Sequence, residues 1–474
     1  MGSHRDRTGR RLLALLLAVG AAASLGLNWP GQFSPDSVWQ LQQGRAGVFN
    51  SWHPPVMAAL LGLFDRLAPG APGFIVLQAA LGFGGLFGFA ALAPRPRPAA
   101  AAIAAALCAS PLLLIYQGEV WKDVLFADAS LAGFALLAWA AHAWAAPPRR
   151  WALVIAAFAL FALAALARQN GAITPVWGAV GLAAIAWRAE DDWRRAAVSG
   201  LAALAACLAL VGGAGWLLAQ HGDGEPAQAQ ALEWLQVWDL AGAVRADPAF
   251  ALAGLERAAP ATARFVRDQA APAYSPERQD TLVGLAGADA ALDGAGPAVG
   301  AQWRALILTR PGLYARVRAA AFARTLAAPD PMACRPFFVG VDAPPELLAA
   351  AGLAPRHRVR DGLARRYGLA FVGTPVFSHL AYAALTLVMA GLAAGDLVRK
   401  APAGGEAIAV LALLGAAFTY AASFLIIGVA CDYRYLYVLD LAAMAALLHR
   451  AASRTTRSIA AWRRPQAVLD PDED

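Results

Sequence analysis

The chain has 474 residues, 59% hydrophobic and 15% charged, where an ordinary soluble domain carries about 25% charged residues. Its net charge of +7 comes without any motif for reading bases. Seventeen of the 37 arginines lie in short clusters flanking apolar runs, which is the positive-inside pattern and not a nucleic-acid face. Composition therefore excludes a soluble enzyme and a nucleic-acid binder, and it points to a polytopic membrane protein, because apolar runs of about 18 residues each cross ~30 Å of hydrocarbon.

In chain order, Arg10 and Arg11 precede an apolar run from Leu12, with small residues at Ala21 to Ser24. That shape suits a cleaved signal peptide or a retained first span. Retention lets the later spans alternate. Ten spans are predicted at about 11–28, 72–93, 99–117, 124–146, 151–168, 171–187, 195–219, 376–398, 406–428 and 433–449. The basic clusters are Arg5, Arg7, Arg10 and Arg11; Arg95 and Arg97; Arg149 and Arg150; Arg188, Arg194 and Arg195; Arg399 and Lys400; and Arg450, Arg454, Arg457, Arg463 and Arg464. With both termini cytoplasmic, all six fall on the cytoplasmic side. The apolar run at 54–67 is too short to span and reads as a re-entrant or interfacial helix.

Three modules follow: 1–219, a transmembrane module with an outer loop at 29–71; 220–375, an extracytoplasmic insertion; and 376–474, the C-terminal helices and a cytoplasmic tail. The insertion, rich in Ala, Pro and Arg, reads as several short helices without a repeat, either a lid over the membrane face or a structural cap.

The candidate chemistry sits at outer helix ends. In the first outer loop, Ser34 suits an N-cap and Pro35 the first helical position, so a short helix should run to about Gln43, with Gly44 ending it. Asp36 then lies in the first turn, with Ser37 and Gln40 beside it at helical spacing. A carboxylate there binds a partner or simply stabilises the helix through its dipole. The second group is Glu119-Val120-Trp121-Lys122-Asp123, at the outer end of the third span. Only Lys122 and Lys400 among 39 basic residues are lysines. Lys122 reads as a phosphate-binding point charge or as a plain ion pair with Glu119 or Asp123. The third group is Arg168, with Gln169 and Asn170, and Arg434, within Cys431-Asp432-Tyr433-Arg434-Tyr435. Charges at the membrane boundary face a cavity or partner, or snorkel outward. Asp440 should lie near the interior and pair with an arginine.

His53, before Pro54-Pro55, is an acid, base, ligand or cap. Trp39, Trp52 and Trp121 suit an interfacial aromatic belt. Zinc-type spacing, a phosphate loop, GxSxG and Cys/His catalytic patterns are absent from the sequence. Cys108 and Cys207 lie in spans. Cys334 and Cys431 lie outside, where a bridge tying the insertion to the last hairpin is open to them.

Phe33-Ser34-Pro35-Asp36-Ser37, Trp52-His53-Pro54, Trp121-Lys122-Asp123, Trp238-Asp239-Leu240-Ala241-Gly242 and Arg434-Tyr435 together resemble a bacterial branch of the GT-C fold glycosyltransferases. The resemblance covers most of 1–220 and the last three spans. It implies an all-α integral membrane fold in the plasma (inner) membrane, transferring sugar from a polyprenyl-phosphate donor to a glycan, lipid or protein acceptor on the outer face. It further implies Asp36 as the catalytic carboxylate and Asp123 as the second acidic residue. Lys122, Arg168 and Arg434 would hold the donor phosphate, and Gln40, His53 and Asn170 would complete the substrate-binding set. No cofactor is required; a divalent cation is compatible with the acidic residues. The competing readings are a transporter or flippase for a lipid-linked or anionic solute, a non-catalytic scaffold, and a surface-glycan polymerase or ligase. The absence of a clear internal repeat argues against the transporter.

Overall fold

The computed structural model describes residues 2–93, 96–224, 227–328, 330–399 and 404–453. Arg95, Lys400, Arg454, Arg457, Arg463 and Arg464 of the expected basic clusters lie outside the described residues. Among the described residues the chain is all-helical, with β-structure limited to five isolated bridges.

The transmembrane module comprises α1 (Gly2–Asn28), α4 (Pro72–Ala91), α5 (Pro98–Ala109), α7 (Lys122–His142), α8 (Pro147–Ala167), α9 (Ile173–Glu190) and α10 (Trp193–Ala219), closed by the helices His379–Val398, Gly404–Ile427 and Tyr437–Ser453. Eight helices among the described residues are long and apolar enough to cross a membrane, or nine if one bent pair counts as a single span. This trims the expected ten. The run at 99–117 is not one straight helix: α5 ends at Ala109, α6 (Pro111–Leu114) restarts the chain, and the two axes meet at 63°. Pro111 has no N–H for the preceding turn, and Ser110 Oγ caps the new helix by accepting from Leu112 N. Helix α9 forms as expected but carries Arg188 and Glu190 in its last turn, which leaves it outside the apolar set. Helix α7 is the central one, buried along most of its length, whereas α10 turns nearly all of its surface outward.

The bundle has two chemically distinct ends. At one, Arg10 Nε donates to Ala93 O, Arg150 pairs with Glu190 at 3.3 Å, His142 with Glu406 at 3.4 Å, and Arg450 with Asp396. At the other, Asn28 Nδ2 donates to Leu114 O and Asn170 Nδ2 to Ser423 Oγ, and the longer loops begin.

The first of these loops holds α2 (Pro35–Ala46) and α3 (Pro55–Leu67). Helix α3 is too short to span, as expected. Helix α2 runs one turn beyond the expected stop. Its C-cap is Gly47, at φ 67°, and not Gly44. Gly44 serves close packing instead: a Cβ there would stand 2.3 Å from Ala58 O and 2.7 Å from Gly62 N, so α2 and α3 cross backbone to backbone.

The insertion is helical, with Ala227–Ala246, Gly296–Thr309, Pro311–Ala327 and Val359–Leu369 as its longer elements. Residues 234–321 form a second apolar core, centred on Trp238, Val266 and Val299 and separate from that of the bundle. The remainder docks on the bundle. Phe33 pairs with Val341, and Gln32 Oε1 accepts from Gly340 N and Arg356. Glu119 Oε1 accepts from Phe338 N.

Candidate active site

Five segments converge at the second of these ends of the bundle. Helix α2 begins at Pro35, and its first turn carries Asp36. Ser34 is the N-cap by position, yet its hydroxyl makes no capping bond. It instead shares a hydrogen bond with Ser37 Oγ and accepts from Trp121 Nε1 at 2.9 Å, while Ser37 Oγ donates to Val120 O. These bonds lock the start of α2 onto residues 120–121. Lys122 and Asp123 are therefore the first residues of α7, not the end of the third span. Arg168 caps α8 and Arg434 opens the last span.

Arg434 is the hub. Its Nη2 donates to Asp36 Oδ2 at 2.6 Å and to Asp432 Oδ2 at 3.2 Å, its Nε stands 3.9 Å from Asp123 Oδ2, and its guanidinium lies 4.9 Å from the Trp121 ring. Arg168 pairs with Asp123 Oδ1 at 2.8 Å and donates to the Tyr420 hydroxyl at 2.9 Å. Lys122 Nζ donates to His53 Nδ1 at 2.6 Å, so the neutral ring carries its proton on Nε2, which faces Asp36 Oδ1 at 4.0 Å. Trp39 packs edge-on against that imidazole. Asp123, Lys122, Arg168 and Asp432 are buried; Asp36 is the open member, its side chain 35% exposed. Among the described residues, the buried Arg434 Nε has no hydrogen-bond partner, and the Arg168 guanidinium lies 5.5 Å from the Tyr435 ring.

Burial opposes ionisation of Asp36, but Arg434, with His53 and Lys122 nearby, outweighs it and holds the carboxyl well below the usual range. Burial likewise resists a charge on His53, and the Lys122 ammonium adds to that resistance, so the imidazole stays neutral well below its ordinary 6.5. The unfolded chain protonates His53 near pH 6.5 while the folded protein does not. The stability this group supports is thus complete above 6.5 and declines as pH falls. Asp36 acts in a separate, lower window, below its ordinary 3.8. The expected result is that His53→Gln flattens the loss of stability between pH 6.5 and about 5 relative to wild type, by at most ~1.4 kcal/mol per pH unit. Thermal unfolding across that range checks this; parallel curves for the two proteins would remove His53 from the titration.

The structure thus brings Asp36, His53, Lys122, Asp123, Arg168 and Arg434 together. Gln40 is buried on α2 one turn beyond Asp36, with Nε2 lacking a hydrogen-bond partner among the described residues. Asn170 is held by Ser423, while Gln169 donates to Trp52 O and draws the 169–170 turn over the His53 loop. Neither Glu119 nor Asp123 is the hydrogen-bond partner of Lys122: His53 is, and Glu119 is turned toward Phe338. Asp440 pairs with His379 Nδ1 at 2.8 Å, not with an arginine. Sequence reasoning missed Tyr420, whose hydroxyl is hidden in an apolar run, and left Asp432 without a role although it stands two residues before Arg434. The Cys334–Cys431 disulfide is formed. Among the described residues no group of three or more His, Cys, Asp or Glu side chains is placed to hold a metal ion. The carboxylates at this site are instead taken by arginines, so the donor set does not suit a divalent cation.

No family model matches the chain, and no curated protein matches it. Among solved structures it is similar to the archaeal oligosaccharyltransferase AglB from Archaeoglobus fulgidus in complex with an inhibitory peptide and a dolichol-phosphate, at 15% identity and a TM-score of 0.41. The match covers 92% of this chain and 50% of that one, so the chain spans half the length of that protein.

Proposed function

We propose that the protein is a membrane glycosyltransferase of the GT-C type, moving a sugar from a polyprenyl-phosphate donor to an acceptor hydroxyl on the extracytoplasmic face. The observation that carries this reading is one open carboxylate, Asp36, set against Arg434, Lys122 and Arg168 at the end of the bundle opposite the arginine-rich layer. By the positive-inside rule that layer is cytoplasmic and the site extracytoplasmic. The Cys334–Cys431 bridge on the site's end suits an oxidising compartment.

The chemistry follows from the charges. The acceptor oxygen attacks the anomeric carbon from the face opposite the lipid phosphate. The sugar C–O bond breaks, and its electron pair leaves on the phosphate oxygen. Arg434 and Arg168 are the cations that meet the departing phosphate oxygen, and charge developing there is stabilised by positive groups already in place. Asp36, held anionic by Arg434, accepts a hydrogen bond from the acceptor and orients it. Because that carboxylate is a weak base, it takes the acceptor's proton late, after the bond to the leaving group has stretched. The neutral His53 presents Nε2–H toward Asp36 Oδ1 across 4.0 Å, close enough to influence the carboxylate but beyond hydrogen-bond distance.

The test offers purified protein, in extracted membrane lipid, a panel of radiolabelled polyprenyl-phosphate sugars together with cell-envelope acceptor fractions. Label passing to an acceptor, with inversion at the anomeric carbon, is the expected result. Folded protein that transfers from none of the donors, and binds none of them, overturns the reading.

A further inference from the structure

We infer that the insertion is the part of the protein that sets Arg434 in place, and that the buried pair Asp239–Arg318 is its positioning element. The inference rests on the donor-phosphate reading of Arg434 and assigns the insertion its role at that site.

The chain between the helix Gly404–Ile427 and the last span is a strap, 428–432, with no regular structure of its own. Every residue of it is held by the insertion. Arg318 Nη1 donates to Gly428 O at 2.9 Å. Gln279 N donates to Val429 O, also at 2.9 Å. Ala430 bridges Arg278 and accepts from Thr325 Oγ1 at 3.2 Å. Cys431 N donates to Glu277 O, and Cys431 is joined to Cys334. Asp432 Oδ1 stands 3.8 Å from Arg278 Nη2. Two residues further on, Arg434 reaches Asp36. The membrane helices take over only at Tyr433, whose carbonyl accepts from His379 Nε2.

Within this set Arg318 differs from the rest. It lies in the middle of the helix Pro311–Ala327, 2% exposed, with its guanidinium 5.5 Å from the Trp238 ring. Nη2 donates to Asp239 Oδ2 at 2.6 Å, and the same carboxylate oxygen accepts from Trp303 Nε1 at 2.7 Å. Asp239 is fully buried. A buried ion pair is weak evidence for stability, since apolar residues of similar volume often serve as well. This pair does something an apolar pair could not: Asp239 aims the arginine so that its other arm leaves the insertion's core and grips the first carbonyl of the strap. The planar fork of arginine suits that double duty, and lysine, a single point donor, does not.

The experiment uses the full-length protein in nanodiscs and the double variant Asp239→Leu/Arg318→Met, which keeps the insertion's core filled while deleting the arm on Gly428. Two readouts separate this inference from the proposed function. Amide exchange of 428–436 is expected to rise at least tenfold while Ala227–Ala246 and Gly296–Thr309 keep their wild-type protection; an unchanged strap overturns the inference. Affinity for undecaprenyl monophosphate is expected to fall at least tenfold in the wild-type background and not to fall further in an Arg434→Ala background. Equal losses in both backgrounds would mean that Arg318 does not act through Arg434, which also overturns it. If the wild type fails to bind this lipid, the donor-phosphate reading fails, and the exchange measurement still decides whether the insertion holds the strap.

Discussion

Asp36→Asn is expected to abolish sugar transfer, lowering the single-turnover rate by about 10²–10⁴, the usual range for a positioned general base. Asparagine keeps the size and place of the side chain in the first turn of α2, where Pro35 and the bonds of Ser34 and Ser37 to residues 120–121 do not depend on the carboxylate. Asp36 is 35% exposed, and ion pairs with that much solvent contribute little to folding, so the variant should unfold at nearly the wild-type temperature. Lipid-phosphate binding should persist or tighten. In the free protein the Asp36 carboxylate occupies Arg434 Nη2 at 2.6 Å, and a neutral amide competes less well with an incoming phosphate for that donor. The diagnostic result is therefore a split: rate lost, affinity kept. A variant turning over within a few-fold of wild type would remove Asp36 from the chemistry, and loss of both rate and affinity would recast it as a binding residue.

The charged residues of the site were readable because a charge at the edge of an apolar run is expensive and needs a reason. That rule picked out Arg168 and Arg434, while a helix start marked Asp36 and the rarity of lysine marked Lys122 beside Asp123, all with no knowledge of their distances. It could not supply the partners, which come from segments up to 398 positions apart, as in Arg434 with Asp36. Lys122 illustrates the limit. Its neighbouring carboxylates were the natural partners by sequence, yet starting a helix at Lys122 sends its side chain to His53. Asp440 needed a polar partner, as expected for a buried carboxylate, but the partner is a histidine that opens another span and looks in sequence like an interfacial residue. Gly44 looked like a helix stop because the glycine facing it, Gly62, lies on another helix. The bend at Ser110-Pro111 was lost for a different reason: a window long enough to detect a span averages over a two-residue break. Tyr420 carried no signal at all, because a tyrosine within an apolar run is ordinary until an arginine is found beside its hydroxyl.

Arg434→Ala should have the second-largest effect, and its consequences can be worked out from the three carboxylates it leaves behind. Asp123 retains Arg168 at 2.8 Å and Asp432 retains Arg278 at 3.8 Å, but Asp36 loses the guanidinium that outweighs its burial. Truncating one member of a buried, hydrogen-bonded charge pair across a binding interface costs about 2–5 kcal/mol, so losing the Arg434 contact to the donor phosphate should weaken donor binding by about 30-fold to a few thousand-fold. The carboxyl of Asp36 should also return upward toward its ordinary 3.8 or beyond, so the acid limb of any residual activity moves to higher pH. That shift separates a residue that holds Asp36 anionic from one that only binds phosphate. Arg434→Lys sharpens the test. A lysine restores one positive charge and part of the stability, but it cannot serve Asp36 and Asp432 together while keeping a planar cation 4.9 Å from the Trp121 ring, as the guanidinium does. The lysine variant should therefore fold and bind lipid phosphate weakly while transferring sugar far more slowly than wild type. Full transfer by it would mean that net charge at this position is all the reaction needs, and the planar geometry of the arginine would have no part in the mechanism.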